Sequence, residues 1–290
     1  MDFTVLTQKA VKAAYDAGQL IRSYRDRDVH VMQKEGGSTL ASQVVTEVDR
    51  KSQDAILQVL MPTCDELDIA MLAEEDDDDR GRLEHDYFWS IDPLDGTLPF
   101  INGQPGYSVS IGLVARDGTP QIGVVYDPVH DTLYQATKGQ GLMRNNEAWV
   151  PVQSAQELTF TYDSSFAENS KFNEIQDDLE SYAHLLGLNG LIAMHYGGAV
   201  MNACYALDRA PACHFKFPKS QDGGGSLWDY AATACLYEEG GATVSDAFGN
   251  PLDLNRSDST FMNHRGALYA TDVGLAMRVQ EIVKKYYDSY

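Results

Sequence analysis

The chain has 290 residues, enough for two packed domains or one large α/β unit, and 43% of them are hydrophobic, so a sizeable core is available. Lysine and arginine together number 22 against 43 aspartates and glutamates, a formal net charge of −21. A chain so acidic repels phosphate backbones and anionic bilayers, which excludes nucleic-acid polymers and membrane surfaces as partners and leaves small molecules, phosphorylated ones included if a cation intervenes.

Near the N-terminus an acid at Asp2 and an amphipathic pattern argue against a secretory leader. No stretch approaches the roughly 18 apolar residues of a membrane span. Val5, Leu6, Val11, Ala14, Ala17, Leu20 and Ile21 recur at near-helical spacing and predict a helix over residues 3–24. A second helix is expected from about Asp49 through Ile56, Leu57 and Leu60, ending at Pro62, whose ring and missing N–H oppose continuation. The apolar run "IAMLA" closes on Glu74 and Glu75, and the acids after it, residues 76–79, read as a solvated loop. A calcium loop starting at Asp76 fails, because Arg80 and Tyr87 stand where oxygen ligands are required.

From residue 86 to 145 the pattern changes to short β runs separated by turn residues: "YFWSID", "YSVSIGLV", "QIGVVYD", "TLYQAT" and "GLMRN". That spacing predicts an antiparallel meander, with the Asp127-Pro128 stretch an ordinary hairpin turn. Beyond it "LIAMH", "ACHFKF" and "GATV" read as strands, "AVMNACYAL" and "SLWDYAATACLYEE" as helices, and a last helix spans about 273–286. Alternating strands and helices imply crossover units on a sheet, and a boundary near residue 152 would divide the chain into 1–152 and 153–290. Cys64, Cys204, Cys213 and Cys235 form no C-x-x-C pair, which fits free thiols in a reducing cytoplasm.

Four places carry the candidate chemistry. In "WSIDPLDGT", Asp92 and Asp95 would point to opposite faces of a regular strand, so they converge only if the chain leaves the strand at Pro93. Gly96 then permits tight backbone geometry and Thr97 opens a helix or turn. Neighbouring acids raise each other's pKa unless a positive charge intervenes, and the adjacent residues supply none. "VVTEVD" places Asp49 at a helix start, where its bland role is to favour the helix dipole. "DGGGSLWDYAATA" sets Asp229 in a first helical turn behind the N-cap Ser226, and no Gly-Lys-Ser/Thr follows to make a phosphate loop. Glu74 and Glu75 complete the set.

With these residues assembled, the chain resembles the inositol monophosphatase superfamily of lithium-sensitive phosphatases. The match comprises Glu-Glu after an apolar run, W-x-I-D-P-L-D-G-T with Phe100 three residues on, and G-x-x-W-D-Y-A-A around Asp229, with the hairpin "GVVYDPVHDTLYQATKGQG" in addition. The resemblance implies an α+β / α/β fold in the layered αβαβα sugar-phosphatase architecture. Its implied N-terminal half carries the metal loops, and its C-terminal half supplies Asp229 and substrate contacts. It implies a magnesium-dependent phosphomonoesterase with two or three Mg²⁺ ions. Glu74, Asp92, Asp95, Asp229 and the Leu94 carbonyl would be ligands, with Glu75 and Asp49 at weaker or third-metal positions. Thr97 and Asp49 would orient the attacking water, with Glu75 completing the catalytic set. Gly96, Thr97, Asp95, Gly198 and Asp222 would meet the substrate. A cytoplasmic homodimer acting on a small phosphorylated metabolite is expected by the same resemblance. The oxygen-only set independently favours Mg²⁺ over Zn²⁺.

The substrate stays open at this point. Leu98 and Pro99 match neither the Thr-Asn that inositol phosphatases of the superfamily carry after D-G-T nor the Lys-Glu of 3'-phosphoadenosine 5'-phosphate phosphatases. Asp222, seven residues before Asp229, sits near where the inositol enzymes of the superfamily place an acid that contacts sugar hydroxyls, which by that resemblance favours inositol monophosphate. Lys216 and Lys219 would suit a second phosphate, as in a 3'(2'),5'-bisphosphate nucleotidase or sugar bisphosphatase, although isolated lysines read first as solvated. A haloacid-dehalogenase type of mechanism needs acids two residues apart, and here they are three apart across a proline. A non-catalytic metal-binding regulator would lack a ligand or Thr97, and none is missing.

Overall fold

The computed structural model describes residues 1–25, 31–33 and 44–287. Helix α1 (Phe3–Tyr24) is followed by β1 (Val31–Gln33), β2 (Val44–Thr46) and α2 (Glu47–Leu67), with β1 and β2 paired antiparallel. Next come β3 (Ala70–Ala73), β4 (Tyr87–Asp95) and the short α3 (Thr97–Ile101). The meander continues through β5 (Ser108–Ala115), β6 (Pro120–Asp127), β7 (Thr132–Thr137), β8 (Leu142–Arg144) and β9 (Glu147–Ala148). After it lie β10 (Leu158–Thr161), α4 (Phe172–Leu185), β11 (Leu191–Met194), α5 (Ala199–Asp208) and β12 (Ala212–Lys216). The last elements are α6 (Leu227–Glu239), β13 (Thr243–Ser245), β14 (Ala267–Ala270) and α7 (Val273–Tyr286).

Two sheets result. A seven-stranded sheet runs in the order β3-β4-β5-β6-β7-β8-β9 and a five-stranded one in the order β11-β10-β12-β14-β13. The first is the expected antiparallel meander, to which β3 adds one parallel pairing with β4. In β4, Trp89 and Ile91 enter the cluster formed with α1 and α2, whereas Phe88 enters the cluster formed with α5 and α6. Tyr269 of β14 joins that second cluster, and Phe215 and Ala270 pack with α4 and α7 on the far side of the five-stranded sheet. Helix pair, sheet, helix pair, sheet, helix pair is the αβαβα layering that the family resemblance implied. No helix among the described residues is long and apolar enough to cross a membrane.

Two expectations need correction. Helix α2 does not stop at Pro62 but continues to Leu67. The carbonyl that loses its helical partner is that of Gln58, an exposed residue open to solvent, so the proline sits in the helix at tolerable cost. In α1 the buried stripe runs through Ala10, Ala13, Ala14 and Ala17, and Val5 lies outside it, 48% exposed.

Helix α6 sits unusually close to the central strands. Gly112 of β5 and Gly123 of β6 are paired in register, and a Cβ on the first would lie 2.7 Å from the Ala231 Cβ, on the second 2.3 Å from the Ala232 carbonyl oxygen. Only glycine at both positions lets the helix descend that far. Ser110 Oγ then donates to the Trp228 carbonyl at 3.1 Å, which fixes the first turn of α6 over β5.

Candidate functional site

Strand β4 does not end at Pro93. It continues to Asp95 with a shift of register: Asp92 opposes Ser110 and Asp95 opposes Ser108, three residues spanning what two span on β5. This is a bulge of one extra residue, sited where proline has no N–H to give the ladder. The extra residue inverts the alternation once, so Asp92 and Asp95, which a regular strand would place on opposite faces, both turn toward α5 and α6.

From that face the two acids meet Asp229. Carboxylate oxygens of Asp92, Asp95 and Asp229 all lie within 4.8 Å of one another. Asp92 and Asp95 are buried, and Asp229 is half-buried. Each acid is aimed by local chemistry. Asp92 Oδ1 accepts from the Leu94 N–H at 3.0 Å. Asp95 accepts from the N–H groups of Ala199 at 3.0 Å and Val200 at 3.1 Å, so it caps α5. Asp229 is the third residue of a capping box in which the Ser226 N–H donates to Oδ2 at 2.5 Å. Glu74 is bonded through its N–H to the Ile91 carbonyl at 3.1 Å, and its carboxyl shares a hydrogen bond with Asp92.

Burial and crowding raise the pKa of the aspartates. The Asp92 carboxyl is pushed well above the usual carboxylate range, first by burial and then by Glu74, Asp95 and Asp229. Asp95 moves the same way through burial and Asp229, and Asp229 moves up through burial. Asp49 is raised by burial and, more weakly, by Glu75, against the hydrogen bonds from Thr46.

Asp49 repeats the device of Asp229 on α2. It is the third residue of a capping box, with Oδ2 accepting from the Thr46 N–H at 2.8 Å and the Thr46 hydroxyl at 2.5 Å. Its Oδ1 accepts from Thr97 Oγ1 at 3.1 Å, with the Leu94 carbonyl 3.3 Å from the same hydroxyl. Gly96 adopts φ 84°, where a Cβ would stand 2.7 Å from the Gly106 carbonyl oxygen. Glu75 is anchored by its N–H to Gln53 Oε1 at 3.0 Å.

The other expected residues fall in different places. Gly198 lies against the site as the N-cap of α5, where a Cβ would be 2.3 Å from Asp95 Oδ2, so its role in the fold is to admit that carboxylate. Asp222 is exposed, on the loop before α6, and acts electrostatically on Arg256 rather than joining the acids. Lys216, first read as solvated, is buried: its Nζ pairs with Asp163 Oδ2 at 2.8 Å and lies 5.3 Å from the Tyr230 ring centre. It lowers the pKa of Asp95 and Asp229, so the acids do have a basic neighbour, from a distant strand. Asp163, which the sequence reading passed over, is held down to about 2 despite its burial, chiefly by Lys216 and then His214. The available signal was "FKF": a lysine between two phenylalanines at a strand end has nowhere apolar to put its charge.

These residues fit a hard divalent cation. The donors are oxygens without a histidine or cysteine among them, they converge, and Lys216 beside them already shares its charge with Asp163.

A model of the inositol monophosphatase family matches residues 2–285. The chain is 30% identical over 255 residues to the inositol-1-monophosphatase of Synechocystis sp., covering 88% of this chain and 83% of that protein. It is 30% identical over 243 residues to the Nus factor SuhB of Haemophilus influenzae, covering 82% and 83%. Extragenic suppressor protein suhB from Bartonella henselae shares the fold, with a TM-score of 0.73 over 97% of this chain and 99% of that chain at 22% identity.

Proposed function

Since the chain belongs to the inositol monophosphatase family, a family of phosphoric monoester hydrolases, we propose that it hydrolyses a small phosphorylated metabolite by direct attack of water at a magnesium centre. Inositol monophosphate, the ester named by its relatives, is the first to assay. The observation that carries this reading is the convergence of Asp92 and Asp95 from one sheet with Asp229 from a helix far along the chain, all within 4.8 Å.

Glu74, Asp92, Asp95, Asp229 and the Leu94 carbonyl would hold two or three Mg²⁺ ions, with Glu75 and Asp49 beside them. Bound there, such ions supply the positive charge that an ionised attacking water and a loose phosphoryl transition state require. The protein's own groups do the positioning. Thr97 Oγ1 donates to Asp49 Oδ1, which leaves the hydroxyl oxygen to accept a hydrogen bond from the attacking water. Asp49 stays fixed because Thr46 grips its other oxygen twice. Gly96 and Thr97 open α3, and their N–H groups meet the phosphate. Asp95 holds the start of α5 against the same pocket.

Phosphate release from inositol 1-phosphate is expected with Mg²⁺ and not with EDTA. Thr97→Ala should lower kcat about 10²-fold with KM within about threefold, because it acts on the water and not on the ester. A variant with unchanged kcat and raised KM makes Thr97 a binding residue. Absence of release from any phosphomonoester sinks the proposal.

A further inference from the structure

Asp229 takes its aim from a loop with no side chains of its own. Ser226, whose N–H donates to Asp229 Oδ2, follows Gly223, Gly224 and Gly225, all at positive φ. A Cβ on Gly225 would stand 2.8 Å from that same oxygen, so the carboxylate's place depends on where the loop lies. Consecutive glycines are costly to order, and these are held by contacts from elsewhere. The Met262 N–H donates to the Gly225 carbonyl at 2.9 Å, and the Gly224 carbonyl accepts from the Tyr230 hydroxyl and, at 3.3 Å, from Lys216 Nζ.

Lys216 is the first link of a chain of polar contacts that ends at Asp95. Its Nζ lies 2.8 Å from Asp163 Oδ2, just past β10, and Asp163 Oδ1 accepts from Asn202 Nδ2 at 3.3 Å. Asn202 is fully buried in the first turn of α5. Its Oδ1 accepts from the N–H groups of Tyr196 at 3.0 Å and Gly197 at 3.3 Å, and its Nδ2 also donates to the Gly197 carbonyl at 3.1 Å. That segment leads into the N–H groups of Ala199 and Val200, which Asp95 accepts. Asp163 thus joins the loop that enters α5 to the loop that enters α6, and Asp95 and Asp229 depend one on each.

We propose that Asp163 and Lys216 are positioning residues for the metal centre: linked through Asn202, they set the separation of the Asp95 and Asp229 carboxylates. The inference rests on the phosphatase reading above and names residues that act through those two acids without holding metal. Lys216 is buried and Asp163 half-buried, and desolvation offsets much of the attraction in such a pair, so that apolar residues of similar volume serve a fold about as well. What the pair supplies instead is direction, because a polar network with its members satisfied holds each atom in one place.

The test replaces the pair by apolar residues, Asp163→Leu together with Lys216→Met. It reads Mg²⁺ affinity by calorimetric titration without substrate, the melting temperature in EDTA, and the rate on inositol 1-phosphate. The double variant should melt close to wild type yet bind Mg²⁺ about tenfold or more weakly, and need correspondingly more Mg²⁺ for half its maximal rate. The sign separates position from charge. Lys216 acts on Asp95 and Asp229 more strongly than Asp163 does, so its loss by charge alone would tighten Mg²⁺ binding. Equal or tighter affinity therefore overturns the positioning role. Should the double variant not fold, Lys216→Met alone decides by the same sign, and if neither folds the pair is structural and the role falls. A wild type that binds Mg²⁺ but releases phosphate from no ester fails the phosphatase reading separately, and the titrations still decide the pair. A wild type that binds no Mg²⁺ overturns both.

Discussion

Two acidic regions of this molecule use the same side chains to opposite ends. In residues 76–79, Asp76, Asp77 and Asp79 are exposed, while Asp78 grips the buried Arg82 at 2.9 Å. Arg82 in turn donates to Asn255 Oδ1 at 2.7 Å and the Arg256 carbonyl at 2.8 Å, so the run fastens a C-terminal loop to the first sheet. There the charge is matched or hydrated. The cluster of Glu74, Asp92, Asp95 and Asp229 is buried or half-buried, has Lys216 as a basic neighbour among the described residues, and burial together with mutual repulsion pushes Asp92 and Asp95 above the usual carboxylate range. Density of acids along a chain therefore marks solvent, whereas acids spaced apart and driven under apolar layers mark a site that demands metal.

The largest effect that would break this contrast is expected at Asp92. Asp92→Asn should lower kcat about 10³-fold or more, because it removes the carboxylate proposed as the central metal ligand. The metal-free variant should melt no lower than wild type, since the substitution also removes repulsion. Near-wild-type turnover overturns the ligand assignment, and a collapsed melting transition makes Asp92 a structural residue.

A smaller effect sharpens it through pH. The folded pKa values of Asp92, Asp95 and Asp229 lie above the ordinary carboxylate value. The folded state then binds more protons than the unfolded one, and this contribution to stability is complete below about pH 4 and lost as pH rises through the folded values. In EDTA the melting temperature should fall between pH 5 and pH 8, and Mg²⁺ should flatten the curve by taking the protons' place. A metal-free melting temperature that rises over that range contradicts the electrostatics.

The smallest effect belongs to the exposed run. Asp77→Asn should change stability by less than about 0.5 kcal/mol and leave activity as it was, both read from one denaturation curve and one rate. A larger loss would give the run a role beyond solvation.

Much of the site was legible because local chemistry places it. Asp49 and Asp229 each stand three residues after a Thr or Ser that can cap a helix, and each is indeed the third residue of a capping box. Glu74 closes the buried strand β3, and Thr97 opens α3. The geometry at Pro93 was not legible. Whether the chain leaves the sheet or bulges within it depends on Ser110 and Ser108 of the neighbouring strand, and a single strand's pattern carries no register. Lys216 escaped for a similar reason: its burial is imposed by Asp163, Tyr230 and the Gly224 carbonyl, none of them adjacent to it in sequence.

By itself the sequence determined the meander strands, the helices α1, α5, α6 and α7, the cap Ser226 that starts α6, and the oxygen-only chemistry of the acids, since each depends on residues within a few positions of one another. Tertiary structure alone decided that Asp92 and Asp95 share a face, that Gly112 and Gly123 let α6 bring Asp229 onto it, and that a lysine lies buried alongside. The first depends on register against the neighbouring strand β5, the second on packing between segments more than a hundred residues apart, and the third on Asp163, Tyr230 and Gly224, so the spacing along the chain did not give the distances in space.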